Sequence, residues 1–381
     1  MKVAIVHDYF IQLGGAEKVA EELHAIFPSS TLVTTVDIYK RPGTVTSWLR
    51  HLPITEKNHR LFFLLFPLAV ETLDMTEYDL IISSTSGYAK GVRKRKDAVH
   101  ICYCHTPMRW VWRYGAYAER ESFGGITKLI LPPLLALLKR WDLAASRRPD
   151  HYIANSQVVA DRIKRFYGRD SVVIPPPIDT TRFVGAAADG DFYLILSRLA
   201  AYKRVDLAVE ACKRLGRRLV VIGDGPARQK LEKIAGPKTE FLGRADDEIV
   251  AEYAGRCKAL IFPGEEDFGM TPIEINAAGR PVIAYRAGGA TETVIENTTG
   301  VFFNEQEPES LMTAIEGFEQ ISWDRDLIRK HAESFDSEVF ADSIRQFVGS
   351  VLLAAAKEFP SESVAQYLPA RNAMDAAIPD A

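Results

Sequence analysis

The chain of 381 residues has few cysteines and no long uninterrupted apolar run, the features that mark disulfide-rich secreted proteins and membrane-spanning proteins. It has only four cysteines, and their spacing fits neither a disulfide-rich secreted scaffold nor a zinc finger, so we expect reduced, mostly buried thiols. The longest apolar runs, 61–70 and 130–138, contain prolines and are too short to cross a bilayer. Met1-Lys2 leads straight into a strand-like run, which leaves no room for a signal peptide and predicts a cytosolic chain. The cysteines are Cys102, Cys104, Cys212 and Cys257.

An overall excess of one charge is also missing, because 47 Lys and Arg nearly balance 50 Asp and Glu, but the two halves differ. Residues 1–185 carry 25 basic against 18 acidic residues, and residues 186–381 carry 22 against 32. The basic run 90–96 and the apolar stretch 61–66 fit either an anionic membrane surface or a solvated charge run beside a buried helix. No recognised nucleic-acid-binding motif accompanies the basic residues, so we do not expect nucleic acid as a partner.

Length and patterning predict two domains of the α/β class. With 47% apolar and 25% charged residues, the chain can bury two cores. Short aliphatic runs alternate with helical spacing such as Val19, Leu23 and Ile26, which is typical of parallel sheets covered by helices on both faces. The expected strands are Val3 to Val6, Leu80 to Ser83, His100 to Tyr103, Tyr152 to Ala154, Tyr193 to Leu196, Leu219 to Ile222, Ala259 to Phe262 and Pro281 to Ala284.

A hinge is predicted between the halves, where Pro175-Pro176-Pro177 precedes the small-residue stretch 185–190. Parallel sheets of this kind bind ligands beyond the carboxyl ends of their strands, so the cleft between the two sheets is the expected site. The residues 360–381 lack strong periodicity, and we expect them to form a loosely held tail.

The stretch from Glu266 to Glu274 places two carboxylates eight positions apart around a loop that turns into a helix. Thr271-Pro272-Ile273-Glu274 is typical of a capping box with proline at the first helical position, which would set the amides of 269–271 at a positive helix end. Such an end binds phosphate, with Glu266 before it and Glu274 one turn inside it. A helix cap without any ligand explains the same residues.

Glycines and cations follow other predicted strands. Gly14-Gly15 opens an amphipathic helix, where a backbone either approaches a phosphate or simply makes a tight turn. Arg198 lies at the end of the strand 193–196, and Lys203 lies at the start of the next helix. Two cations in that position would neutralise a diphosphate leaving group, although solvated surface cations are the alternative.

A histidine and two turns complete the candidates. His105 ends a strand in a basic, aromatic loop, a place that suits a structural histidine and a reacting one equally. Gly223 lies in the turn after the expected strand Leu219 to Ile222, and Arg244 lies in the turn after Phe241-Leu242; contacts to a base or ribose and ordinary turns are both consistent with the sequence at these positions.

In this order the motifs resemble those of the retaining glycosyltransferases of family 4. The match runs from Gly14-Gly15 to 300–303, and the order of the motifs, which includes Gly288-Gly289-x-x-Glu292, is its specific signal. The resemblance implies an α/β GT-B fold with two Rossmann-like domains whose parallel sheets face each other across a cleft. It implies an acceptor-binding domain over 1–180, completed by a C-terminal helix at about 336–355, and a nucleotide-sugar-binding domain over 190–335.

The resemblance also implies roles for single residues: Glu266 contacts the donor sugar, Glu274 contacts the ribose hydroxyls, and His105 lies at the sugar's hydroxymethyl group. It implies substitution with retention at the front face, without cofactor or metal. The predicted catalytic residues are His105, Glu266, Arg198 and Lys203. The predicted donor-binding residues are Gly14, Gly15, Arg198, Lys203, Gly223, Arg244, Glu266, Phe268, Gly269, Met270, Thr271 and Glu274.

The run 102–112 is similar more narrowly to mannosyltransferases that build bacterial O-antigens and exopolysaccharides, although Arg113 stands where that subgroup commonly has an acid. This similarity implies transfer of mannose from GDP-mannose to a polyprenyl-diphosphate-linked saccharide by a peripheral protein at the inner face of the cell membrane. The alternatives are a UDP-sugar-dependent transferase of the same family, a UDP-sugar 2-epimerase and a non-catalytic nucleotide-sugar-binding module. The base, donor sugar, acceptor, linkage and oligomeric state stay open.

Overall fold

The structure, a computed structural model, describes residues 1–12, 14–56, 58–112, 125–183 and 189–355, with the backbone alone for 125–130. The predicted tail and Arg113 lie outside these residues, as does most of the small-residue half of the predicted hinge. All four cysteines are free and buried, as expected. Among the described residues, no helix has the length and apolar character needed to cross a bilayer.

The first sheet has seven parallel strands in the order β3-β2-β1-β4-β5-β6-β7. Its three central strands are buried throughout, because helices cover both faces of the sheet. The strands are β1 (Val3–His7), β2 (Thr31–Thr34), β3 (Val45–Thr46), β4 (Leu80–Thr85), β5 (Val99–Cys104), β6 (His151–Ala154) and β7 (Val172–Val173).

Helices of the first domain begin and end at local signals. One amphipathic example, α5 (Gln157–Tyr167), is capped by Ser156, whose hydroxyl accepts a hydrogen bond from the Val159 amide at 3.2 Å, and it ends at Gly168 with φ 66°. The helices are α1 (Gly15–Ile26), α2 (Phe66–Glu71), α3 (Arg109–Trp112), α4 (Gly125–Ala145) and α5 (Gln157–Tyr167).

The second sheet has six parallel strands in the order β10-β9-β8-β11-β12-β13. Two apolar clusters, one on each face, hold its helices. The strands are β8 (Tyr193–Leu196), β9 (Leu219–Ile222), β10 (Thr239–Gly243), β11 (Leu260–Phe262), β12 (Val282–Tyr285) and β13 (Gly300–Phe303). The helices are α6 (Val205–Leu215), α7 (Arg228–Ile234), α8 (Asp247–Arg256), α9 (Met270–Ala277), α10 (Ala290–Thr293), α11 (Pro308–Phe318) and α12 (Arg325–Glu333).

The last described helix, α13 (Ser337–Ala355), returns to the first domain, where Phe340, Ile344 and Val348 pack in the same cluster as β1. Two chain segments therefore cross between the domains. They lie side by side, since the Ile178 amide donates to the Phe335 carbonyl at 3.0 Å and the Ser337 amide donates to the Ile178 carbonyl at 3.1 Å.

Two doubly wound parallel sheets in one chain are the predicted α/β architecture of the GT-B type, and this prediction is confirmed. All eight expected strands are present, with bounds that differ by at most two residues at either end. Five strands that the aliphatic pattern did not reveal are β2, β3, β7, β10 and β13, and four of these are the edge strands of the two sheets.

Candidate functional site

The candidate residues gather at the carboxyl ends of strands from both sheets. His105 follows β5 in the first sheet, whereas Arg198 follows β8 and Glu266 lies in the loop after β11 in the second. Hydrogen bonds join residues beyond these two strand edges, so the edges face each other across one cleft.

The start of α9 differs from the predicted capping box. The helix begins at Met270, its N-cap is Gly269 with φ 86°, and no side chain caps it. Pro272 is therefore the third helical residue rather than the first, and Glu274 does not make the return bond of a capping box. The left-handed backbone at Gly269 makes the turn that Thr271 was expected to make, and glycine adopts that conformation without strain. The amides of 269–271 still lie at the positive end of the helix.

The amino ends of α1 and α9 meet across the cleft. A side-chain carbon at Gly15 would come within 2.7 Å of the Met270 sulfur, so the absence of a side chain allows this close approach. Gly14 is the N-cap of α1, and its amide donates to the Glu17 carboxylate at 3.2 Å. Two positive helix ends thus face one small volume between the domains.

Two cations lie beside these helix ends. The exposed Arg198 guanidinium donates to the Gln12 side-chain oxygen at 3.3 Å, across the cleft and just before the Gly14-Gly15 turn. Lys203 lies in the 3₁₀ turn Ala201–Lys203 and forms an ion pair with Glu266. The structure therefore pairs Lys203 with the predicted sugar-contacting carboxylate and sets Arg198 next to the segment that leads into the Gly14-Gly15 turn.

The Lys203 ammonium stays charged in this setting. Burial lowers its pKa, but the adjacent Glu266 carboxylate raises it, and the net result is a pKa above the ordinary lysine value. The Lys203 side chain as a whole is 16% exposed.

The His105 ring is buried and neutral. Its Nε2 lies 2.8 Å from the Ser84 hydroxyl, and the same hydroxyl lies 3.2 Å from Nδ1 of His7. Burial lowers the pKa of His105 to about 3, more strongly than the nearby Asp8 and Asp267 carboxylates raise it. His105 therefore offers a neutral imidazole to the cleft at physiological pH and carries no positive charge there.

Glu274 has a different environment from Glu266. It is half-buried, and no hydrogen bond or ion pair from the described part of the chain reaches its carboxylate. Burial raises its pKa, whereas the charges of Lys18 and Arg182 act in the opposite direction. A half-buried carboxylate near the end of α1 is an acceptor that a ligand hydroxyl would satisfy.

Three of the predicted donor-binding residues make contacts within the protein that explain their presence without a ligand. The Phe268 side chain is buried in the second-domain core against Phe335, with ring centroids 5.8 Å apart, which explains this aromatic residue without a ligand, and its contact with the donor stays a prediction. Gly223 has φ 134° and lies against the Ser197 carbonyl, where a side-chain carbon would be 1.9 Å away. Arg244 is 75% exposed at the rim and pairs with Glu56 at 3.3 Å.

Asp267 is the residue that sequence reasoning overlooked. Its carboxylate, 11% exposed, forms ion pairs with two first-domain arginines, Arg109 at 2.5 Å and Arg162. The signal was present, because Asp267 follows Glu266 directly and Arg109 lies in the run after His105. Arg162 lies on the polar face of α5, and nothing in the sequence sets it apart from ordinary surface arginines.

A cavity of about 910 Å³ lies elsewhere, at the amino ends of the strands of the second sheet. It includes none of the candidate residues. Its cations are already engaged, for example Arg217 by Glu319 at 2.6 Å and Lys258 by Asp191 at 2.5 Å. The cleft, with its convergent helix ends, is the better candidate despite the size of this cavity. Within the described ranges, no cluster of three or more His, Cys, Asp or Glu side chains is arranged to hold a metal ion.

Comparisons with known proteins agree with this architecture. The family model described as Glycosyltransferase Family 4 matches residues 13–182, and the model described as Glycosyl transferases group 1 matches residues 178–335. The crystal structure of Anabaena HepE in complex with UDP and glucose covers 91% of this chain and 99% of its own, with a TM-score of 0.67 and 18% sequence identity.

Curated relatives match over shorter stretches. A D-inositol 3-phosphate glycosyltransferase from Geodermatophilus obscurus is 27% identical over 252 residues, 56% of this chain and 54% of the relative. A GDP-mannose-dependent alpha-(1-6)-phosphatidylinositol monomannoside mannosyltransferase from Mycolicibacterium smegmatis is 28% identical over 177 residues, 37% of this chain and 45% of the relative. The chain thus spans about half the length of these relatives. The two adjoining family models and the two-sheet fold together place the chain in the family 4 glycosyltransferases of the GT-B type.

Proposed function

We propose that this chain is a retaining hexosyltransferase that moves mannose from GDP-mannose onto a polyprenyl-diphosphate-linked saccharide. The observation that carries the proposal is the meeting of two helix amino ends beside Arg198 and Lys203, within reach of Glu266. Positive helix ends and side-chain cations together suit a diphosphate, which carries its negative charge on several oxygens.

In the proposed reaction, the bond between the anomeric carbon and the β-phosphate oxygen breaks while the acceptor oxygen forms a bond on the same face of the sugar. The acceptor proton passes to the leaving phosphate oxygen, and Arg198 and Lys203 stabilise the charge that develops there. Glu266 accepts hydrogen bonds from the sugar, and Glu274 accepts them from the ribose. The neutral His105 ring contacts the sugar without adding charge, and no cofactor or metal takes part.

The choice of GDP-mannose is supported by the motif 102–112 and by the GDP-mannose-dependent relative from Mycolicibacterium smegmatis. A UDP-sugar is the second candidate donor, because HepE, whose fold covers most of this chain, was solved with UDP and glucose. Both donors present the same diphosphate to Arg198 and Lys203, so the choice depends on contacts to the base and the sugar.

A thermal-shift panel of GDP-mannose, UDP-glucose, UDP-galactose and UDP-N-acetylglucosamine tests the donor, since a ligand that binds only the folded state raises the unfolding temperature. We expect the largest shift with GDP-mannose, unchanged by EDTA. A shift with UDP-sugars alone would reassign the donor. Formation of an epimerised sugar from UDP-N-acetylglucosamine without acceptor would overturn transfer as the reaction.

Fewer residues of the first domain are available to contact a membrane than the basic run 90–96 and the apolar stretch 61–66 indicated. Lys90 is buried and paired with Asp142 at 2.5 Å, and Arg93 pairs with Glu71 at 2.5 Å, so the run 90–96 is largely engaged within the protein. In the stretch 61–66, Leu61 is 82% exposed, whereas Phe66 is buried.

We infer that the membrane-facing patch comprises exposed leucines of the first domain with neighbouring basic residues. Apolar side chains flanked by Lys and Arg bind anionic bilayers through both contributions. Cosedimentation with phosphatidylglycerol vesicles is expected for the wild type and should be lost in a variant with Leu61→Glu and Leu137→Glu. Equal binding by both proteins would contradict the patch. Its members are Arg60, Leu61, Leu68, Leu137, Lys139 and Arg140.

A further inference from the structure

The amino end of α5, in the first domain, is bound by the second domain. The amides of Gln157 and Val158 donate to the two oxygens of the Glu292 carboxylate at 2.7 and 2.9 Å. Such first-turn amides have no partner inside their own helix, and a carboxylate satisfies them while it also complements the helix dipole. The Ser156 hydroxyl, which caps the helix, donates to the main-chain carbonyl of Asp267 at 2.6 Å.

The side chain of Asp267 makes a second set of contacts between the same two regions. Arg109 donates to its carboxylate through Nε at 2.8 Å and Nη2 at 2.5 Å. Arg162, from α5, pairs with Asp267 and also with Glu265 at 3.2 Å. One mostly buried carboxylate of the second domain is therefore held by two guanidinium groups of the first.

The loop 265–268 also contacts the Gly288-Gly289 turn of its own domain. The Gly289 amide donates to the Glu266 carbonyl at 2.8 Å, and a side-chain carbon at Gly288 would come within 2.2 Å of that oxygen. The motif Gly288-Gly289-x-x-Glu292 therefore contacts both the loop 265–268 of its own domain and α5 of the first domain. Its glycines allow the loop to pack closely, and its glutamate reaches across to α5.

We propose that Asp267 and Glu292 are positioning residues that hold the two domains in register, so that Glu266 and Lys203 lie opposite His105. The proposal rests on the proposed function, since it takes Glu266 and Lys203 to act on the donor. Neither positioning residue touches the donor in this account. They act by fixing the loop that carries Glu266 against α5 and Arg109.

The test compares Asp267→Asn and Glu292→Gln with the wild type, and Glu240→Gln is the matched control, because Glu240 forms an exposed ion pair with Arg218 away from the cleft. We expect kcat to fall about 100-fold in each cleft variant, the loss that a displacement of about 1 Å can cause. The affinity for GDP or UDP, measured by calorimetry, should change less than about twofold, because helix ends and cations of the donor site remain. Asp267→Glu should regain part of the lost kcat.

Hydrogen–deuterium exchange provides a readout that does not depend on turnover. Exchange at 156–160 and 265–268 should become faster together in both cleft variants and stay unchanged in the control, because each variant releases both sides of the contact. Unchanged kcat and exchange, or an equal loss of kcat and of nucleotide affinity, would overturn the positioning role. If the variants show the expected changes in exchange but the wild type transfers no sugar, only the proposed function is overturned.

Discussion

The two ends of the segment 265–274 are organised in opposite ways. At the front end, Glu266 and Asp267 are ion-paired with Lys203 and with the first-domain arginines. At the rear end, Glu274 is half-buried, and no cation in the described residues forms an ion pair with it. The front end is already held by the protein, whereas the rear end retains an acceptor that a ligand would satisfy.

Glu17 resembles Glu274, because burial raises the pKa of both carboxyl groups. Glu17, at the amino end of α1, is buried, and its pKa is raised to about 7 because burial disfavours its charged form. The cleft therefore contains acids that are ion-paired with cations beside acids whose charged form is disfavoured by burial. We infer that the ion-paired acids set the geometry of the cleft, whereas the acids without an ion pair respond to ligand and to pH.

The largest expected effect comes from breaking the front end. Lys203→Ala and Glu266→Ala should each lower kcat/KM about 1,000-fold, since each removes charge stabilisation or a sugar contact at the proposed reacting centre. Steady-state kinetics with the donor chosen by the thermal-shift panel measures this loss. Circular dichroism should show the fold intact, and turnover at the wild-type rate in both variants would contradict the assignment.

The buried Glu17 carboxyl should make the free energy of unfolding depend on pH. Because its folded pKa of about 7 lies above the ordinary value of 4.5, no penalty exists below pH 4.5, and the fold loses stability as the pH rises from 4.5 to about 7, above which the loss is complete. Glu17→Gln should remove this loss and exceed the wild type by about 3 kcal/mol in free energy of unfolding at pH 8. Urea unfolding at pH 5 and pH 8 checks it, and identical pH profiles would show that burial does not control this carboxyl.

Glu274→Gln tests the rear end with a smaller effect. If the carboxylate accepts ribose hydroxyls, the amide keeps one acceptor oxygen and loses the charge, so KM for the donor should rise about tenfold with kcat nearly unchanged. Full kinetics on the purified variant separate the two constants. A loss of stability without a change in KM would assign Glu274 to the helix rather than to the ligand.

Arg244→Ala should have the smallest effect, below about fivefold in kcat/KM, because an exposed ion pair contributes little. Its partner Glu56 lies on the opposite domain at the rim of the cleft. A loss of 100-fold would instead make Arg244 part of the donor site.

Much of the fold follows from sequence pattern, because buried central strands such as β1 and β8 are short aliphatic runs. The edge strands β3 and β7 escaped this reasoning, because they are two-residue strands that are partly exposed. In the site, the order of motifs identified residues at the strand ends. The start of α9 was misjudged because a left-handed glycine can begin a helix where a threonine and proline also fit.

The contacts of Asp267 required tertiary structure. Arg109 and Arg162 lie 158 and 105 residues away in the sequence, and no local pattern encodes a contact between domains over such separations. Glu292 presents the same difficulty, since its hydrogen bonds run to main-chain amides of a helix that any sequence would supply.

Binding of a nucleoside diphosphate between the two helix ends can be measured by calorimetric titration of GDP and UDP into the wild type and into the double variant with Arg198→Ala and Lys203→Ala. We expect one of the two nucleotides to bind the wild type and its affinity to fall about 100-fold in the double variant, since two charge-assisted contacts are lost. Equal affinity for the wild type and the double variant would contradict it.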